Sequence, residues 1–125
     1  MEEFLGEFLD EADEMTVSLA ASVSELAENP GNDEVRNNAY RCVHVIRGGA
    51  GFLGLVRVER LAAAGERLLG RIAAGELEPT GERLRIVSEL GLALRGILEG
   101  AREHGSEQAG DDGELVAAIE AAAQP

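Results

Sequence analysis

Apolar residues recur along the chain at steps of three and four, the pattern of helices that bury one face. Phe4, Phe8, Ala12, Met15, Leu19, Val23 and Leu26 trace such a stripe and predict a first helix over Glu2 to Glu28. Seven acids among its first fourteen residues suit the positive end of a helix dipole. Asn29-Pro30-Gly31-Asn32 breaks the pattern. A second helix is expected from an Asp33 cap, with Val35, Ala39, Cys42, Val43, Ile46 and Ala50 inward and Gly51 and Gly54 loosening its end. A third runs from Val56 to Ala74 on Val58, Leu61, Ala62, Gly65, Leu68, Leu69 and Ile72, and Gly75 stops it. Pro79-Thr80 opens a fourth that turns Leu84, Val87, Gly91, Leu94 and Leu98 inward and fades near His104-Gly105. Strand-like alternation is absent. The pattern predicts an all-α fold: an antiparallel up-down four-helix bundle over residues 1–104, a polar linker over 105–111, and a short C-terminal helix over 112–125 on or near the bundle. In that last helix Asp112 is the expected cap, and Leu115, Val116 and Ile119 are the apolar face. Gly65, Gly70, Gly91 and Gly96 fall inside helices, at roughly 1 kcal/mol each relative to Ala, and are expected to mark close helix–helix approach.

Composition narrows the function classes. The 125 residues suffice for one ordinary domain, and hydrophobic residues at 45% suffice for its core. The four aromatics (Phe4, Phe8, Tyr40, Phe52) leave that core to aliphatic side chains. With 24 acids against 11 bases, the net charge of −13 opposes binding to nucleic acid or to an anionic membrane surface. No apolar run is long enough for membrane insertion, and the acidic Met1-Glu2-Glu3 start is unlike a signal peptide, so a cytoplasmic location is expected. Cys42 is the single cysteine, so neither an intrachain disulfide nor a cysteine metal cage is possible, and the wheel turns it into the core. Every base is Arg, which removes Walker A, Schiff-base and kinase-type lysine chemistry together.

Two histidines remain. On a helical wheel Ala39, Cys42, Ile46, Ala50 and Leu53 fall within about 60° of Val35, whereas His44 falls at about 180°, away from the core. Arg47 and Gly48 lie one turn on, and Gly51 two turns on. Glycines on an exposed helix face are costly, and here they clear the ground beside an imidazole so that a macromolecule can approach. Arg47 adds a fixed positive charge within reach of an anion held on the ring. The combination suits a histidine that is phosphorylated and passes its phosphoryl group to a carboxylate. One ring nitrogen must then attack unprotonated while the other donates its proton to an acceptor. Glu59, Glu66 and Glu76 are the candidate acceptors, and Glu66, at about 110° from the centre of its helix's apolar stripe, is the best placed.

The run His44-Val45-Ile46-Arg47-Gly48-Gly49-Ala50-Gly51-Phe52-Leu53-Gly54 resembles the H-x-[IL]-[KR]-G-[SG]-A-G-x-x-G signature of histidine phosphotransfer (HPt) domains. The opening Phe8-Leu9-Asp10-Glu11-Ala12-Asp13-Glu14, Gly75-Glu76-Leu77 and the last short helix extend the resemblance over nearly the whole chain, toward the amino-terminal domain of CheA-type chemotaxis kinases. The resemblance implies a phosphoacceptor at His44, an orienting and activating carboxylate at Glu66, and a phosphate contact at Arg47, where Lys is usual. Arg is bulkier and bidentate. Ala63 stands where some relatives have a second histidine. The implied partners are an ATP-binding histidine kinase domain, in cis or in trans within a kinase dimer, and response-regulator receiver domains. On this reading the chain is not an enzyme on its own but a substrate and carrier, an excised first domain of a larger kinase. Gly48 and Gly51 give access, and no cofactor is expected.

Other readings compete. A stand-alone phosphorelay protein would share the fold, and a helical adaptor would never be phosphorylated. A metal-dependent enzyme is disfavoured because bundle sites pair Glu-x-x-His on several helices, a pattern missing here, and no metal is expected. Gly49-Ala50-Gly51-Phe52-Leu53-Gly54 spells G-x-G-x-x-G, but the dinucleotide fingerprint needs a preceding strand, and here a helix precedes it. His104, at a helix end, is assigned no function.

Overall fold

The computed structural model describes residues 2–125, Glu2 in its backbone only. It contains five helices: α1 (Glu2–Glu28), α2 (Asp33–Leu53), α3 (Val56–Ala73), α4 (Gly81–His104) and α5 (Gly113–Ala122). Consecutive long helices lie side by side through the short turns 29–32, 54–55 and 74–80, and α4 packs back on α1 to close a four-helix ring. The most extensive contact is α2 on α3, and α5 covers the outer groove of α3 and α4.

The core is aliphatic. Leu19, Leu26, Val43, Ile46, Leu61, Leu68, Leu69, Ile72, Leu90, Leu94 and Leu98 are almost wholly excluded from water, and among the described residues Phe8 is the only buried aromatic. The α3 stripe is buried as the spacing predicts. Two inward assignments differ. Phe4 is exposed, and Leu9 takes the core position in the first turns of α1. On α2 the buried arc is rotated toward Val43, leaving Val35 half-buried and Arg36 buried. An Arg can lie at the edge of an apolar face because its stem packs while its head finds acceptors. Arg36 donates from Nε to the Pro30 carbonyl (2.7 Å), from Nη1 to the Ile72 carbonyl (3.2 Å), and from Nη2 to Glu78 (3.3 Å). One buried guanidinium thus ties two turns to the end of α3.

Caps set the element boundaries. Asn32, one residue before the expected Asp33, caps α2 by accepting from the Val35 amide (3.2 Å), and Thr80 caps α4 by accepting from the Arg83 amide (3.2 Å). At the end of α2, Gly54 turns left-handed with φ 73°, which a residue bearing Cβ rarely adopts.

Asp112 does not cap α5 with its side chain. Its carboxylate takes a two-point bond from Arg57 (Nε to Oδ2 2.8 Å, Nη2 to Oδ1 2.8 Å), which holds its pKa below the ordinary value. Glu107 reaches back to the start of α3, where Leu55 offers no side-chain cap, and accepts from the Arg57 and Val58 amides at 3.0 Å each. At the far end of α5, Arg71 and Arg83 donate to the carbonyls of Ala123 (2.6 Å) and Ala122 (2.9 Å). Cations there oppose the negative end of the helix dipole. The 105–112 stretch and α5 are therefore stapled to the bundle at both ends.

Gly65 is required by close approach: a Cβ there would collide with the Leu90 side chain across the α3–α4 contact. Gly70 and Gly91 lie at ordinary contact distance from Tyr40 and Leu19, while a Cβ at Gly96 would meet nothing within 4 Å. Close packing therefore does not account for Gly96.

Two outcomes follow. Gly65→Ala should lower stability by about 1–3 kcal/mol in chemical denaturation despite its better helix propensity, because overpacking exceeds that gain. Because the folded-state pKa of Asp112 is lowered, its contribution is complete above the unfolded carboxyl value of about 3.9 and is lost as pH falls through the folded value. Protection of the α5 amides, taken relative to the intrinsic exchange rate at each pH, should accordingly hold down to about pH 4 and fall below it. Asp112→Ala should show the lowered protection already at neutral pH, at a cost of about 1–3 kcal/mol.

Candidate functional site

His44 projects from the middle of α2 and Glu66 from the facing stretch of α3. The His44 side chain is 59% exposed and that of Glu66 only 16%, so the carboxylate sits in the helix–helix seam beneath an open imidazole. His44 Nδ1 lies 3.0 Å from Glu66 Oε2. A carboxylate accepts, so the ring donates from Nδ1 and its lone pair resides on Nε2. Nε2 makes no hydrogen bond among the described residues.

Arg47, one turn on from His44, donates from Nη1 to the other oxygen, Glu66 Oε1, at 2.8 Å. Its guanidinium is therefore engaged by the carboxylate rather than standing free beside the ring. Each oxygen of Glu66 thus receives one donor from α2. Of the other candidate carboxylates, Glu76 pairs with Arg71 (3.1 Å), and Glu59 reaches toward Gly51.

The glycines next to His44 divide by role. A Cβ at Gly48 would meet nothing within 4 Å, so that position leaves bare backbone open to solvent. At Gly51 it would lie 2.7 Å from Glu59 Oε2, and at Gly49 it would strike the Phe8 ring. Gly48 clears the surface, whereas Gly49 lets α1 approach α2. Phe52 continues the same exposed line, one turn beyond Gly48, with 74% of its surface in solvent, and meets Phe4 edge to face at 6.4 Å.

Tyr40 adds a contact that its i,i+4 spacing from His44 could have signalled: its ring stacks on the His44 imidazole with centroids 5.6 Å apart and an interplanar angle of 21°. Nearby, Cys42 is buried, and burial raises its thiol pKa, which disfavours the reactive thiolate. Among the described residues no group of His, Cys, Asp and Glu could hold a metal ion, and no helix is long and apolar enough to cross a membrane.

The chain that carries this open imidazole and half-buried carboxylate matches the family model "Hpt domain" across residues 3–124. The chain belongs to the Hpt domain family. This Hpt domain is 34% identical over 89 residues to the chemotaxis protein CheA of Halobacterium salinarum, covering 71% of this chain and 13% of that protein. It is 29% identical over 120 residues to the sensor histidine kinase CheAY of Helicobacter pylori, covering 95% of this chain and 15% of that one. The chain therefore spans a small fraction of the length of these relatives. Its fold is similar to that of the phosphorylated P1 domain of CheA3 from R. sphaeroides, whose structure was determined in complex with CheY6 (TM-score 0.89, 23% identity, 98% of this chain and 97% of that one). It is also similar to the CheA phosphotransferase domain of Thermotoga maritima (TM-score 0.77, 26% identity, 82% of this chain and 97% of that one).

The hydrogen bond predicts a tautomer. Nitrogen-15 spectra of the neutral His44 ring should show the proton on Nδ1, and Glu66→Ala should return the ring to a mixture of tautomers.

Proposed function

We propose that His44 accepts a phosphoryl group at Nε2 from an ATP-binding histidine kinase domain and passes it to an aspartate of a response-regulator receiver domain. The observation that carries this reading is the 3.0 Å contact of Nδ1 with Glu66 beneath an exposed ring, which leaves the Nε2 lone pair outward. As Nε2 bonds to phosphorus, the ring gains positive charge, and the Glu66 carboxylate offsets it at Nδ1. Glu66 orients and activates the imidazole. Arg47 is the phosphate contact: 46% exposed and on a flexible stem, it can exchange a carboxylate oxygen for a phosphoryl oxygen. Gly48 leaves room for the partner, whereas the space over Gly51, also expected to give access, is filled by the Glu59 side chain.

The domain works as the phosphoacceptor module of a chemotaxis-type kinase rather than as an enzyme by itself. The greater length of its CheA and CheAY relatives supports that setting, and the CheY6 complex of the R. sphaeroides domain supports a receiver as the second partner.

Intact-mass measurements with a chemotaxis-type kinase core and ATP test the assignment. The wild type should gain one acid-labile phosphate and His44→Gln none, while Glu66→Gln should gain it at least about tenfold more slowly. A wild type left unmodified by kinase cores that phosphorylate a control domain would overturn the reading in favour of an adaptor.

A further inference from the structure

Beyond the Glu66 contact, a second restraint acts on the face of the imidazole. Tyr40 precedes His44 by one helical turn, and their rings are stacked with a 21° interplanar angle. The tyrosine also lies against α3: a Cβ at Gly70 would lie 3.4 Å from Tyr40 Cε1 and 3.5 Å from Cδ1. Gly70 in turn follows Glu66 by one turn of α3. Two consecutive turns of α2, carrying Tyr40 and His44, therefore face two consecutive turns of α3, carrying Gly70 and Glu66. Glu66 holds the edge of the imidazole, and the Tyr40 ring, wedged against α3, holds its plane. The Tyr40 hydroxyl makes no hydrogen bond among the described residues, so the contact is one of ring surfaces.

A hydrogen bond at Nδ1 selects the attacking nitrogen but leaves the ring free to rock about that bond. The Nε2 lone pair lies in the ring plane, so the tilt of the plane sets the direction of attack. We propose that Tyr40 is a positioning residue that fixes the plane of the His44 imidazole and thereby aims Nε2 at a phosphoryl group presented in one orientation by a docked kinase domain. The proposal rests on the phosphotransfer reading above. In the step concerned, the Nε2–P bond forms as the bond from the γ-phosphorus to the bridging oxygen breaks, and the electron pair leaves with ADP. The Nδ1 proton stays on the ring, against Glu66.

Two donors separate aim from reactivity. A kinase core with ATP presents phosphorus from a fixed direction. Phosphoramidate, a small donor whose P–N bond breaks with loss of ammonia, diffuses to the ring from any direction in its plane. Tyr40→Leu should slow transfer from the kinase about 3- to 10-fold. It should leave the phosphoramidate rate unchanged, and Tyr40→Phe should match the wild type with both donors. Glu66→Gln, which acts on reactivity, should slow both. Equal rates for Tyr40→Leu and wild type with the kinase would overturn the proposal, as would equal slowing with both donors or a Tyr40→Phe variant as slow as Tyr40→Leu. Should Tyr40→Leu not fold, Tyr40→Met takes its place in the same comparison.

A readout on the wild type needs no variant. His44 ring protons should be shifted upfield by the Tyr40 ring current and show cross-relaxation to Tyr40, and absence of both would overturn the stack. A wild type that shows the stack but reacts with neither donor would overturn the phosphotransfer reading, and the aiming role with it, while leaving the stack in place.

Discussion

The organisation of the site depends on one carboxylate shared between two donors of the same helix. Glu66 has two oxygens, and α2 supplies a donor to each, an imidazole at position i and a guanidinium at i+3. This works because the carboxylate emerges from the flank of α3 that faces α2 and is mostly shielded from water. A carboxylate so placed is held through both oxygens, and it gives the edge of the ring a fixed acceptor.

The helices were legible because a periodic apolar stripe is a local signal. His44 could be placed on the open face of α2, and Gly48 on the bare ground beside it, by the same reasoning. The partner carboxylate was legible only as one of three, since a wheel gives the angle around an axis but not the height at which two helices meet. The resemblance pointed to Glu66, and the fold brings that residue to the ring. What local reasoning missed has a common cause. Arg36 is buried because two turns and the end of α3 converge on it, the α3 cap comes from Glu107 across the fold, and Arg47 is held by a neighbouring helix. None of these partners lies within a helical turn of the residue it serves.

An all-Arg complement also explains how a small aliphatic bundle holds its turns. Arg36, Arg57, Arg71 and Arg83 each reach acceptors on segments other than their own, and several of those acceptors are carbonyls left over at helix ends. A guanidinium presents up to five donors in a fixed plane, so one side chain can serve a carboxylate and a carbonyl together. Lysine, a point charge, would hold one of these acceptors well and the rest poorly. These four of the eleven arginines serve backbone carbonyls, whereas Arg47, Arg67, Arg85, Arg95 and Arg102 pair with carboxylates.

Glu107 gives α3 a dependence on the order in which the chain is made. The first amides of α3 are completed by a side chain some fifty positions downstream, so during synthesis that turn emerges with two donors facing water. The four long helices can collapse on one another before then, but the helix that carries Glu66 acquires its final footing only when the 105–112 stretch folds back. A stretch made some fifty residues after the start of α3 thus closes the end of the helix that carries Glu66.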